Sequence, residues 1–154
     1  LSLMINYQWT DGNSKDFRMF YQKTEDYYSE IVGGLDKRKG FVPYNASSAI
    51  DHVLIAYDGD KAVACAGLKR YSERDAEIKR VWVEPEYRGQ HMARDMMKQL
   101  EDKARKEGYK RLILQTREIM TDAVGLYEKI GYRRIENYFP YDTLIGAICY
   151  AREL

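Results

Sequence analysis

The spacing of apolar and polar positions changes character as the chain proceeds. Ile5, Tyr7 and Trp9 alternate with Asn6, Gln8 and Thr10, which predicts a half-buried strand ending at the turn residues Asp11-Gly12. Beyond it the period lengthens. Phe17, Phe20, Tyr21, Thr24, Tyr28, Ile31 and Leu35 recur at helical spacing behind a predicted N-cap at Asn13, and Gly33-Gly34 ends or bends that helix. Lys37 to Ser48 carries charge, Gly, Pro and small polar residues without a period, so it reads as a surface connection. Val53 to Tyr57 and Ala62 to Leu68 flank Asp58-Gly59-Asp60, a hairpin turn supplied with a residue that tolerates positive φ. A second polar turn, Ser72 to Asp75, passes the meander on to a strand from Ala76 to Val83.

There the antiparallel grammar stops. Glu84-Pro85 breaks the strand, and Arg88-Gly89-Gln90 lead into a helix whose apolar stripe is Ala93, Met96, Met97, Leu100 and Ala104. Gly108 is its predicted stop, and Arg111 to Thr116 the next strand. Strand, helix, strand is a βαβ unit with a right-handed crossover and a parallel partner. Thr121 is the predicted N-cap of a shorter helix carrying Ala123, Leu126, Tyr127 and Ile130, closed by Gly131. Tyr132 to Tyr138 and Ala147 to Ala151 follow as strands around a turn at Pro140. The expected fold is α/β: one domain, residues 1–154, with a mixed central sheet, antiparallel meander plus βαβ unit, flanked by helices.

Composition narrows the functional classes. With 25 Lys+Arg against 24 Asp+Glu the net charge is +1, so no global field steers a polyanion and nucleic-acid binding is disfavoured. No run approaches the ~20 apolar residues of a membrane span, and no charged start leads into an apolar signal core. Cys65 and Cys149 sit inside apolar runs without zinc or redox spacing; they read as buried free thiols, in keeping with a reducing cytoplasm and no metal. The 14 tyrosines are unusual, offering flat apolar bodies with polar tips to a core or a pocket wall.

The corner after Pro85 is where chemistry concentrates. A helix starting directly beyond a strand end points unpaired N–H groups and the positive end of its dipole past the sheet edge, a place suited to phosphate. Most such corners bind nothing, and one Gly is a weak signal. The stretch EIKRVWVEPEYRGQHMAR, Glu77 to Arg94, nevertheless resembles the central motif of the GNAT superfamily of N-acetyltransferases. That family's pyrophosphate loop reads Gln or Arg, two residues, Gly, one residue, then Gly or Ala. Arg88 fills the first place and Ala93 the last, while His91 stands where the family usually has Gly. The order of elements from about Ile55 to Tyr132 is similar as well.

The resemblance implies a cosubstrate, acetyl-CoA, with CoA as product. It implies that Val81, Trp82 and Val83 pair with the pantetheine arm through their main chain. Gly89, Gln90, His91, Met92, Ala93 and Arg94 would offer N–H groups to the pyrophosphate, with Arg88 either near phosphate or bridging to a surface carboxylate. The family's two strands splay apart here. Glu77 and Lys79 are polar while Val81 and Val83, of the same parity, are apolar, which fits a β-bulge near Arg80 or Val81 as well as a strand leaving the sheet. The basic run Lys103, Arg105, Lys106, Lys110 and Arg111 either meets the ribose phosphate or is a solvated face.

AVGLYEKIGY, Ala123 to Tyr132, resembles the family's second motif, which implies Tyr127 as the acid that protonates the leaving thiolate; on periodicity alone Tyr127 is a core residue. Met120 replaces an Asn the family often has. Glu77 is the candidate base, or else an ion-pair partner of Lys79 or Arg80, and the Val83 N–H the oxyanion donor. Tyr28, Phe41, Tyr138 and Tyr141 are the candidate lining for the acceptor, a small-molecule or peptide-like primary amine. A homodimer through the last strands is the expected assembly if there is one. The alternatives are a CoA-binding regulatory module that has lost catalysis, on account of His91 and Met120, and an interaction domain with an aromatic surface.

Overall fold

The computed structural model describes residues 4–32 and 47–154. Seven strands, β1 (Ile5–Thr10), β2 (His52–Asp58), β3 (Lys61–Arg70), β4 (Asp75–Val83), β5 (Arg111–Arg117), β6 (Arg133–Ile135) and β7 (Ala147–Glu153), form one sheet in the order β1-β2-β3-β4-β5-β7-β6. The helices are α1 (Lys15–Val32), α2 (Met92–Lys106) and α3 (Thr121–Lys129). Among the described residues only β4 and β5 pair in parallel, as the βαβ reading requires. The mixed α/β sheet flanked by helices is the expected architecture.

The two helical stripes cover opposite faces. Phe17 and Phe20 of α1 pack on Val53, Ile55, Ala62 and Cys65. Met92, Met96, Met97, Leu100 and Ala104 of α2 pack on Leu54, Ala64, Leu68, Ile78 and Leu112. Each such large apolar side chain removed from water contributes about 1.5–3 kcal/mol, which offsets the ordering entropy of these elements. Gly59 turns the β2–β3 hairpin at φ 60°, and Gly108 stops α2 at φ 89°. Both cysteines are buried free thiols.

Some boundaries differ from expectation. Ser14, not Asn13, caps α1: its Oγ accepts the Phe17 N–H at 3.3 Å, while the Asn13 N–H turns back to Asp11. Residue 120, a methionine with no capping side chain, precedes α3, and Thr121 is already helical. The strand expected over Tyr132 to Tyr138 shrinks to β6. Ile135 pairs with Cys149, so Asn137 would next meet Ala147; instead the Asn137 side-chain amide takes the Ala147 carbonyl at 2.8 Å and the chain turns away. The last strand, β7, lies inside the sheet between β5 and β6, leaving β1 and the three-residue β6 as its edges. Pairing of two copies through β7 is therefore closed off.

Two features of β4 position the site. Asp75 holds Arg111 through contacts of 2.8 and 3.1 Å where β4 and β5 run together. Their pairing ends at Ile78 and Leu114. Next comes a bulge: the β3 register shifts between Cys65 and Gly67, and Arg80 adopts φ 57°. Glu77 and Lys79 thus meet Tyr138 and Tyr141, whereas Val81 and Val83 turn to the α2 core. The change of character read from one parity is a physical bulge, and beyond it the strands diverge.

Candidate active site

The divergence opens a cleft of about 250 Å³. Ile78, Val81, Trp82 and Val83 of β4 face Leu114, Gln115 and Thr116 of β5 across it. Tyr27 and Tyr28 of α1 and Ala123, Leu126 and Tyr127 of α3 close its sides, with Arg88 at the end nearest α2.

Main-chain geometry at its β4 wall follows from the ladder. Val83 pairs with Ala64, and the Glu84 N–H donates to the Val63 carbonyl at 2.9 Å. In an antiparallel pair this places Val83 at a site whose own N–H and C=O point away from β3, into the cleft. Trp82, opposite Cys65, directs its main chain to β3. Its indole packs against Tyr27 at 5.3 Å between centroids.

At the corner, the Arg88 N–H closes a turn on the Pro85 carbonyl, and the next main-chain donor to find an acceptor is Asp95, on His91. Among the described residues the N–H groups of Gly89, Gln90, His91, Met92, Ala93 and Arg94 therefore take no protein acceptor. Gly89 has φ 77° and His91, the residue before α2, φ 65°. The His91 ring is exposed and turned to Arg94, whose guanidinium stands 3.5 Å from Nδ1. Met92 contributes main chain only, its side chain being part of the core. The basic residues Lys103, Arg105 and Lys106 lie in the last turn of α2, roughly 18–22 Å from His91 at 1.5 Å per residue, and Lys103 and Arg105 pair with Glu107 and Asp102. They are out of reach of the corner.

Tyr127 is 7% exposed, its ring 6.1 Å from that of Tyr132 and 6.3 Å from that of Tyr150. Among the described residues its hydroxyl has no hydrogen-bond partner, and it borders the cleft. Burial, then the neighbouring Tyr28, push its phenol well above the ordinary range, so it is a proton donor at any physiological pH.

Glu77 is not part of the cleft wall. It lies in a buried cluster on the other face of β4, where the Tyr138 hydroxyl donates to its carboxylate at 2.7 Å and the Lys79 ammonium stands 3.8 Å away. Lys79 also donates to the Tyr141 hydroxyl at 2.8 Å, and burial, partly opposed by Glu77, lowers its pKa to about 8. Tyr138 and Tyr141 are thus turned inward, Tyr141 to 1% exposure, while Tyr28 borders the cleft. Phe41 lies outside the described residues. Sequence reasoning named Lys79 and Arg80 as alternative ion-pair partners of Glu77; Lys79 is that partner, whereas Arg80 pairs with Glu25. The Arg80 guanidinium is buried against Thr24, Glu25 and the Tyr21 ring, tying the bulge to α1.

A profile of the Acetyltransferase (GNAT) family matches residues 8–132, most of the chain, and the protein belongs to that family. The curated relatives it resembles include the uncharacterized N-acetyltransferase YsnE of Bacillus subtilis, 30% identical over 56% of this chain and 58% of that protein. The IAA acetyltransferase of Azospirillum brasilense is also 30% identical, over 57% of this chain and 58% of that protein. The chain thus matches little more than half the length of these relatives. Among solved structures, a GNAT family acetyltransferase from Elizabethkingia anophelis with acetyl-CoA bound superposes with a TM-score of 0.71, at 18% identity over 97% of this chain and 98% of that one. That likeness establishes the fold.

Proposed function

We propose that this chain is an acetyl-CoA-dependent N-acetyltransferase that acetylates a primary amine, small or peptide-like, by direct attack while both substrates are bound. One observation carries it: Arg88 and Tyr127 line the same cleft where β4 and β5 part, and among the described residues both the Tyr127 hydroxyl and the N–H groups of Gly89 to Arg94, which follow directly on Arg88, lack a protein partner. The N–H run suits a diphosphate and the hydroxyl a departing thiolate.

The residues fit the cosubstrate without rearrangement of the sheet. Gly89 to Arg94 would hold its diphosphate, and the cleft-facing main chain of Val83, with that of Val81, its pantetheine amides. Bound there, acetyl-CoA supplies an activated thioester. The Val83 N–H stabilises charge developing on the thioester oxygen, a preorganised donor costing no reorganisation. Tyr127 delivers a proton to the thiolate sulfur. An alkyl amine with a pKa near ~10.4 must lose a proton before attack, and Glu77 is the proposed acceptor of that proton, approached from the α1 side of β4.

The competing reading, a CoA-binding module without catalysis, has one observation in its favour: Glu77 is already engaged by Tyr138 and Lys79. Calorimetric titration with acetyl-CoA, with ATP as the unrelated nucleotide, followed by a thiol-release screen over amines, decides between them. Specific binding with turnover supports the enzyme. Specific binding without turnover of any amine supports the module, and no preference for acetyl-CoA over ATP removes both.

A further inference from the structure

The cleft is lined from both faces of the sheet. Val81, Val83 and Tyr127 pack with the α2 core, whereas Trp82, between the two valines, packs with the α1 core. The proposed diphosphate corner, the pantetheine wall and Tyr127 all belong to the α2 side. The other side, between α1 and the end of β4, is left for the group that attacks the thioester.

That side is aromatic. Tyr27 and Tyr28 of α1 line it together with Trp82, all three half-buried. The Tyr27 ring stands 5.3 Å from the indole at an interplanar angle of 68°, and 5.8 Å from the Tyr28 ring. Two guanidinium groups flank these rings: Arg80 lies 5.9 Å from the Tyr28 centre and Arg88 4.9 Å from that of Trp82. The carboxylates that α1 and the end of β4 bring close are engaged, Glu25 by Arg80 and Glu84 by Lys23. Asp122, the acidic residue among the described lining, comes from α3 on the far side.

This wall discriminates among amines. A polyamine would bring further positive charge up to two guanidinium groups and find no unengaged carboxylate beside them. A flat aromatic ring gains edge-to-face contact with Tyr27 and Trp82, and its negative face suits a neighbouring guanidinium. We propose that the acceptor is an arylalkylamine: its ring rests against Tyr27, Tyr28 and Trp82, and a short alkyl chain carries the primary amine through the cleft to the thioester carbon. The neutral nitrogen bonds the acetyl carbon as the carbon–sulfur bond breaks. The nitrogen sheds one proton and the sulfur takes one up, so the products are the N-acetylated arylalkylamine and CoA. This rests on the acetyl-transfer reading above and adds to it the chemical class of the acceptor.

Phenethylamine, cyclohexylethylamine and spermidine test it, the second having the carbon skeleton of the first without its aromaticity. Each is titrated calorimetrically into the CoA-saturated protein, and thiol release from acetyl-CoA gives kcat/KM. Phenethylamine is expected to exceed cyclohexylethylamine roughly three- to tenfold in both measurements, the scale of one aromatic pair, although the saturated ring is the more apolar. Spermidine should fall below either. Tyr27→Leu should bring the ratio between the two ring amines to about one, whereas Tyr27→Phe, which keeps the ring, should preserve it. The parent ratio decides by itself should Tyr27→Leu fail to fold.

Cyclohexylethylamine equal to or better than phenethylamine, a preference for spermidine, or a ratio that a folded Tyr27→Leu leaves unchanged overturns the proposal. Preferential binding of phenethylamine without thiol release upholds the aromatic site and removes catalysis. A parent that does not bind acetyl-CoA removes the reading on which the proposal rests, a result obtained before any amine is added.

Discussion

Replacing Tyr127 by phenylalanine separates a chemical role from a packing role. The ring stays, and with it the contacts to Tyr132 and Tyr150. The lost hydroxyl has no protein partner among the described residues, so no hydrogen bond is broken, and stability should stay within about 0.5 kcal/mol of the parent. If the hydroxyl protonates the departing thiolate, its loss should lower kcat about 100-fold, near the lower end of general-acid effects and equivalent to ~2.7 kcal/mol of barrier. Affinity for CoA should change little, since the diphosphate is held elsewhere. Because burial raises the phenol above the ordinary tyrosine range, the parent should show no alkaline loss of activity from this group below about pH 10. The assay is thiol release at saturating acetyl-CoA across pH, with the melting temperature measured in parallel. A kcat within about twofold of the parent, with a responsive amine in hand, refutes the acid role. A melting temperature several degrees lower refutes the account of an unpartnered hydroxyl.

Three further outcomes follow from the geometry. His91→Gly should leave CoA affinity within about threefold, because the imidazole faces Arg94 and not the N–H run; relief of the left-handed backbone and the extra freedom of an unfolded glycine, each near ~1 kcal/mol, should nearly cancel in stability. Asp75→Asn removes the anion that holds Arg111 where β4 and β5 join, and should cost roughly 2 kcal/mol, read as a melting temperature lower by about 4–8 °C; an unchanged value sinks that role. Lys79 titrates near 8 in the folded chain against an ordinary 10.5, so folding carries the full penalty of a buried charge below pH 8 and sheds it as pH rises toward 10.5. Denaturant unfolding should therefore show stability rising between pH 8 and 10 by on the order of 2 kcal/mol, an increment that Lys79→Met should lack. Above pH 10 the raised tyrosines, Tyr138 among them, work in the opposite direction.

The sequence by itself determined whatever repeats locally or depends on short-range sterics. The period of α2, the hairpin at Gly59 and the stop at Gly108 were legible because each is set by residues within a turn or two of one another, and the parallel crossover because strand, helix and strand follow in that order. Even the bulge left a trace, since two polar and two apolar residues of one parity cannot all face the same side of a sheet. Tertiary structure alone decided how side chains distant in sequence settle. Tyr138 reaches back 61 residues to Glu77 and Tyr141 62 residues to Lys79, which makes one half-buried and one buried ring the hydrogen-bond partners of charged groups. Insertion of β7 between β5 and β6 was equally invisible, because a strand's pattern records its burial and not its neighbours. Arg88 shows the same limit at short range: the motif supplies a cation at the corner, but whether it meets solvent, phosphate or the Val83 carbonyl depends on where the ladder leaves an acceptor unpaired.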